Sequence, residues 1–239
     1  KLQMLDTSRN QFVSNASHEL KTPLATMKIL LENIIYQPEM DAEMRTEFLT
    51  DINKEIDRLN SIISDLLTLV SMDSKAMRLN RTTFSLAQVI TDTAHRLQPV
   101  AESHHQELKL ALNDRCEMYA DCAKLTQVVY NLMENAIKYT QEGGAIKVRL
   151  IRSGRDAVMT VTDNGPGIPR EDQAHIFDRF YRVDKARSRE TGGTGLGLSI
   201  VSDTVRRRGG AIRAEHRQSG SGTVFIVELP LARREEDDT

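Results

Sequence analysis

The first 74 residues contain no glycine. The residue that most often punctuates regular structure is therefore missing from this stretch. One conspicuous turn interrupts it, Tyr36-Gln37-Pro38-Glu39. Cysteine is scarce throughout: Cys116 and Cys122 are too few for a disulfide framework or a four-ligand zinc site, and they read as reduced, structural thiols. His104 and His105 have no partner at metal-ligand spacing, which argues against a metal site there. An excess of one charge is also lacking. With 32 basic and 34 acidic residues there is no electrostatic footprint for nucleic acid. No run of about 18 apolar residues occurs, so nothing in this chain is expected to span a membrane, and the start carries no signal-peptide pattern. Hydrophobic residues at 39% and charged residues at 28% are the proportions of a folded, soluble protein.

What is present falls into two halves. Before the turn, at about 100° per residue, an apolar stripe runs through Val13, Ala16, Leu20, Leu24, Met27, Leu31 and Ile34. After it, Ile52, Ile56, Leu59, Ile63, Leu66 and Val70 alternate steps of four and three. That spacing predicts two helices with coiled-coil seams, joined as a hairpin. A lone hairpin leaves such seams uncovered, so two copies are expected to pair as an antiparallel four-helix bundle, a homodimer. The upstream stripe takes two consecutive steps of four at Ala16, Leu20 and Leu24, beside Pro23, which removes a backbone donor and bends a helix.

One turn from that irregularity stands His18. It lies roughly 200° from Ala16 and from Leu20, away from the apolar stripe, with Thr22 at i+4 on the same exposed face and Glu19 adjacent. An exposed imidazole beside a carboxylate is a nucleophile or proton carrier, although an isolated His-Glu pair is more often a plain surface feature.

Beyond a short polar link the pattern is mixed. Alternating runs at 146–151, 158–162 and 223–229 predict strands. Helical stretches at Leu86 to about Ser103, Ala123 to Tyr139 and Leu196 to Arg208 separate them. A mixed sheet with helices on one face, an α/β sandwich, accommodates both. Arg206-Arg207-Arg208 before Gly209-Gly210 reads as cations on a last helical turn rather than as a basic patch.

No Walker loop and no eukaryotic-type kinase motif set occurs. Three other segments suit a nucleotide. Asn131, Asn135 and Lys138 share one helical stripe beside the apolar positions Leu125, Val128, Leu132 and Ala136. Amide oxygens suit Mg²⁺ and the ammonium suits a phosphate, while a solvated helix face is the plainer meaning. Asp163-Asn164-Gly165-Pro166-Gly167-Ile168-Pro169 follows a strand; its aspartate can accept the amino protons of adenine, yet alone it is an ordinary Asx-Gly turn. Gly192-Gly193-Thr194-Gly195-Leu196-Gly197-Leu198 opens a helix whose free N–H groups favour anions, or is simply a flexible loop. Between the last two, the charged stretch from Asp184 to Thr191 reads as a lid over a ligand.

Taken in order, these segments resemble the cytoplasmic core of bacterial two-component sensor histidine kinases. Ser17-His18-Glu19-Leu20-Lys21-Thr22-Pro23-Leu24 is similar to the phosphoacceptor motif of that family. Asn131 to Tyr139 resembles its N box and Asp163 to Pro169 its first glycine box. Ile176-Phe177-Asp178-Arg179-Phe180-Tyr181-Arg182 resembles its phenylalanine box, and Gly193 to Leu198 its second glycine box.

The resemblance implies an α+β multidomain chain. Residues 1–74 would form the dimerisation and phosphotransfer hairpin, 75–82 a linker, and 83–239 a catalytic domain of the Bergerat (GHKL ATPase-like) type. It implies ATP and Mg²⁺ as cofactors and His18 as acceptor of the γ-phosphoryl group. Glu19 would hold the ring tautomer and Thr22 position water for a regulator phosphatase reaction. Asn135, with Asn131 nearby, would hold the metal. Lys138 and Arg182 would meet phosphates, and Asp163 would read adenine with Tyr139 close by. Gly165, Gly167, Ile168, Tyr181, Gly193, Thr194, Gly195, Leu196, Gly197 and Leu198 would complete the nucleotide site. Phe177 and Phe180 would anchor the lid or serve the core. The implied partner is a response-regulator receiver domain whose aspartate takes the phosphoryl group. The front end lacks a sensor domain and a membrane helix, so the chain is expected to be the cytoplasmic piece of a membrane-anchored receptor. An ATPase of the same nucleotide fold that phosphorylates no protein is the alternative.

Overall fold

The computed structural model describes residues 2–73, 80–183, 193–217 and 220–231, with side chains of the first helix from Phe12 onward. The described residues group into two compact units: 2–73 with 193–196, and 80–183 with 197–217 and 220–231. The charged stretch expected to be a lid, Asp184 to Thr191, lies outside the described residues, as does most of the expected linker.

The first unit is built on two long helices, α1 (Leu2–Tyr36) and α2 (Ala42–Asp73). The turn between them closes through the Met40 N–H on the Gln37 carbonyl at 3.0 Å. Asp41 then caps α2, its Oδ1 accepting from the Met44 N–H at 2.8 Å. Pro23 is inside α1, where it removes the N–H that would bond to the Glu19 carbonyl.

The apolar positions do not form one seam per helix. Ala16, Pro23 and Met27 on α1 and Ile52, Ile62 and Leu69 on α2 are buried. Val13, Leu24 and Leu31, and Ile56, Ile63 and Val70, all expected in the seams, are exposed. The wheel explains the difference: the exposed members lie roughly 60–80° around each helix from the buried ones. Each helix therefore carries a broad apolar face, of which one flank meets its hairpin neighbour. The other flank on α2 is a row seven residues apart, Leu49, Ile56, Ile63 and Val70.

In the second unit the order is β1 (Arg81–Ser85), α3 (Leu86–Ser103), β2 (Glu107–Leu112), β3 (Glu117–Asp121), α4 (Cys122–Tyr139), β4 (Ala145–Ser153), β5 (Asp156–Asp163), α5 (Gly197–Arg207), β6 (Ala211–His216) and β7 (Thr223–Pro230). Five strands form a mixed sheet in the order β2-β4-β5-β7-β6, with β2 and β4 parallel and the remaining pairs antiparallel. β1 and β3 make a separate two-stranded ribbon. Alternate residues of β4, β5 and β7, such as Ile146, Val148, Leu150, Val161 and Val227, are fully buried, which is the pattern of a sheet covered on one face. The covering helices contribute Ile90 from α3, Leu125, Val128, Leu132 and Ala136 from α4, and Val201 and Val205 from α5 to the same core. Caps place two of these helices: Ser85 Oγ accepts from the Gln88 N–H at 3.3 Å, and Asp121 Oδ1 from the Lys124 N–H at 3.2 Å.

The three strands expected from alternation are present and extend one or two residues beyond the expected limits. β1, β2, β3 and β6 were not expected, because each is short and, Met118 and Ala120 of β3 apart, has little buried alternation. No described helix is long and apolar enough to cross a membrane. The arginines of Arg206-Arg207-Arg208 do sit on a helix end: Gly209 adopts φ +74°, and the Gly210 N–H closes on the Val205 carbonyl at 3.0 Å.

Candidate functional site

His18 is exposed on α1, and its imidazole makes no hydrogen bond among the described residues. Thr22, one turn on, bonds its own helix: its hydroxyl donates to the His18 carbonyl at 3.1 Å. Thr26 repeats this towards the Thr22 carbonyl at 3.3 Å. Such back-bonding, together with Pro23, loosens the ladder of this segment. Glu19 is half-buried and is separated from His18 by about 100° of helix rotation. Consecutive helical side chains diverge in this way, so any hold of Glu19 on the ring depends on the His18 rotamer.

In the second unit the end of β5 meets the end of α4 and the β6–β7 hairpin. Asp163 is only 4% exposed. Its Oδ1 accepts two backbone hydrogen bonds, from the Gly165 N–H at 2.9 Å and the Thr223 N–H at 3.1 Å. Its Oδ2 accepts none among the described residues. Burial pushes the carboxyl up from its ordinary range, and the two amides and the positive charge of Arg217 oppose that push. Asn164 pins the following turn, its Oδ1 accepting from the Ala145 N–H at 2.8 Å.

Glycine is required here for space. A Cβ on Gly165 would stand 2.4 Å from the Tyr139 carbonyl oxygen, and one on Gly222 would stand 2.1 Å from the Asp163 carbonyl oxygen. Gly167 has φ +82°, a conformation L side chains rarely adopt. Ile168 behind it packs on the core. Gly222 and Thr223 were not among the expected residues; Gly220-Ser221-Gly222-Thr223 ahead of the last strand was the available signal, since glycines opening a strand mark close backbone approach.

On α4, Asn131 is half-buried and its Nδ2 donates to the Gly197 carbonyl at 3.2 Å, tying the helix to the start of α5. Asn135, one turn on, is half-buried and its carboxamide makes no hydrogen bond among the described residues. The Lys138 ammonium stands 5.6 Å from the centroid of the Tyr139 ring, which is 40% exposed. Gly197 and Leu198 begin α5. Gly193, Thr194, Gly195 and Leu196 group instead with the helical unit. There the Thr194 hydroxyl donates to Asp65 Oδ2 at 3.0 Å and accepts from the Leu196 N–H at 3.1 Å. Tyr181 donates its hydroxyl to Asp172 and lies 5.6 Å from the His175 ring, centroid to centroid. Phe177 packs against the core, Phe180 has φ +63°, and Arg182 is half-buried. Thus Asp163, Gly165, Gly167 and the end of α4 come together, while His18, Glu19 and Thr22 belong to the other unit.

Residues 8–75 match the His Kinase A (phospho-acceptor) domain, and residues 120–233 match the histidine kinase-, DNA gyrase B- and HSP90-like ATPase family. The catalytic domain of histidine kinase ThkA is 30% identical, with a TM-score of 0.57, covering 65% of this chain and 97% of that one. The chain belongs to the two-component sensor histidine kinases. Sensor histidine kinase WalK of Bacillus subtilis (strain 168) is 37% identical over 98% of the chain. A histidine kinase core of both units resembles ThkA crystallised in complex with the response regulator protein TrrA, with TM-score 0.76, 25% identity, and coverage of 97% of this chain and 64% of that one. The chain spans between 38% and 58% of the length of the curated sensor kinases it matches.

Proposed function

We propose that this chain binds ATP in the second unit and transfers its γ-phosphoryl group to His18. The observation that carries the reading is that one chain holds both an exposed imidazole and a buried carboxylate beside close-packed glycines, the imidazole and one carboxylate oxygen making no hydrogen bond among the described residues. A neutral imidazole nitrogen attacks the γ-phosphorus; an N–P bond forms, the O–P bond to the β-phosphate breaks, and ADP leaves. Such a transfer needs positioning and charge neutralisation more than covalent help from the protein. Glu19 is suited to take a hydrogen bond from the second ring nitrogen, and Thr22 to orient a water for a phosphatase reaction on the regulator.

The residues fit the nucleotide. Asp163 Oδ2 is an acceptor of the kind an adenine amino group needs, and Gly165 and Gly167 let the turn after Asp163 pack closely on Tyr139 and Gly222. Tyr139 and Ile168 offer apolar surface beside it, and Tyr181 stands on the phenylalanine-box side. Asn135, with Asn131 next to it, supplies amide oxygen of the kind a hard cation such as Mg²⁺ takes, and the ion would neutralise phosphate charge. Lys138 and Arg182 carry the matching positive charge, and Gly193 to Leu198 precede a helix whose N-terminus favours anions.

The exposed apolar row on α2 supports pairing of two hairpins into a four-helix bundle. The receiving partner is a response-regulator receiver domain, as in the ThkA–TrrA complex. We place the chain as the cytoplasmic core of a longer, membrane-anchored sensor, with domains at 1–74 and 83–239 joined by 75–82.

Incubation with ATP and Mg²⁺ tests this: an acid-labile, base-stable phosphoprotein is expected, absent in His18→Gln. Label that survives acid or persists in that variant refutes the assignment. Phosphate release with no labelled protein favours the ATPase alternative. Mixing His18→Gln with Asn135→Asp subunits then separates transfer within a subunit from transfer across the dimer.

A further inference from the structure

The turn from α3 into β2 sets a buried amide against the end of α4. Gln106 is 5% exposed. Its Nε2 donates to the Ile137 carbonyl at 2.9 Å and to the Thr140 carbonyl at 2.8 Å. Both acceptors are among the last carbonyls of a helix, which find no partner within it. Backbone bonds fix the glutamine from either side: its own N–H donates to the Ala101 carbonyl at 2.9 Å, and the Glu107 N–H donates to the Gly144 carbonyl at 2.9 Å. Gln106 Oε1, by contrast, is buried and accepts no hydrogen bond among the described residues. A buried acceptor left unpaired costs stability that an apolar side chain would not, so the two donated bonds are what this position uses. The exposed His105–Glu142 pair, at 2.9 Å, joins the same two turns at the surface, where such a pair adds little.

The two carbonyls bracket Lys138 and Tyr139, the last residues of α4. That end of the helix is packed without slack on the segment that carries Asp163. A Cβ on Gly165 would stand 2.4 Å from the Tyr139 carbonyl oxygen. One on Gly144 would stand 2.3 Å from Thr140 Cγ2 and 2.7 Å from Asn164 Oδ1. The Gly165 N–H in turn donates to Asp163 Oδ1 at 2.9 Å. We propose that Gln106 is a positioning residue for nucleotide binding, its amide holding the end of α4 against the turn that fixes the Asp163 carboxylate. Close-packed backbone transmits displacement, so a helix end released from Gln106 moves Gly165 and, through it, the carboxylate.

This inference rests on the nucleotide reading above, and the experiment separates the two. ATP affinity in the presence of Mg²⁺ and thermal unfolding are measured on the full chain for the parent, Gln106→Met, Gln106→Asn and Ile90→Val, a core deletion elsewhere on α3. Gln106→Met keeps the length of the side chain and removes both donors. At temperatures where it is folded it should lose about tenfold in affinity, the scale of one or two net hydrogen bonds. Gln106→Asn keeps the donors on a stem one methylene shorter and should lose about threefold; it decides alone if Gln106→Met does not fold. Ile90→Val should melt lower and bind ATP as the parent does. In an Asp163→Asn background Gln106→Met should lose less than about threefold, because both changes act on one carboxylate. Parental affinity in the folded Gln106 variants, an equal loss in Ile90→Val, or full additivity with Asp163→Asn means that the amide serves stability alone, and any of these overturns the inference while ATP still binds. If the parent itself binds no ATP, the nucleotide reading falls and the inference with it.

Discussion

Asp163→Asn separates the cost of the buried carboxylate from its use. The asparagine has nearly the same shape, and its Oδ1 still accepts from the Gly165 and Thr223 amides. Burial raises the Asp163 carboxyl above its ordinary 3.8, so the folded chain holds the proton to higher pH than the unfolded chain does. In that window stability falls as pH rises, and above it the full cost of the buried charge remains. Without nucleotide at neutral pH, the variant should therefore be at least as stable as the parent. With ATP the order reverses. Losing a charge-assisted hydrogen bond and turning an NH₂ group on the adenine amine costs about 3 kcal/mol, more than a hundredfold in affinity. At a hundred times the parental dissociation constant, ATP adds about 2.7 kcal/mol. For a unit of this size that is about 5–10 °C in melting temperature. The variant under the same conditions should gain about 1 °C. Thermal unfolding with and without Mg²⁺-ATP reads both effects. A full nucleotide shift in Asp163→Asn would refute the adenine assignment. A destabilisation of more than about 1 kcal/mol without nucleotide would mean that the carboxylate is there for its loop rather than for a ligand.

Gly222→Ala should cost more than about 3 kcal/mol in urea unfolding, because φ is +134° and the new methyl meets the backbone of Asp163 and Asn164. Gly220→Ala, at φ +85° with nothing within 4 Å, should cost about 1 kcal/mol, and equal losses at the two positions would refute the close-approach argument. Ile63→Asp places a charge in the exposed α2 row and should weaken dimerisation at least about tenfold in sedimentation. Ile29→Asp, exposed on the opposite flank of α1, should leave self-association unchanged, and parallel behaviour of the two variants would argue against that row as the interface.

The two long helices, three of the sheet strands and the three helices of the second unit were legible because each carries a sustained period: 3.6 residues in α4, with Leu125, Val128, Leu132 and Ala136 all buried, or 2 in β4, with Ile146, Val148 and Leu150 all buried. The outward aspect of His18 was legible for the same reason, since the direction of a helical side chain follows from its position along the helix. β1, β2, β3 and β6 were not, because short edge or ribbon strands have little buried face to pattern.

Sequence by itself thus determined local conformation, the class of fold and the residue types available to a nucleotide, all of which depend on neighbours a few positions apart. Tertiary structure alone decided which flank of each bundle helix is covered, that Asp163 gives one oxygen to Gly165 and Thr223 and keeps the other open, and that Gly222 packs against the Asp163 backbone. Those outcomes depend on groups tens of residues apart brought together by strand pairing, and no local periodicity records which strand a chain will meet.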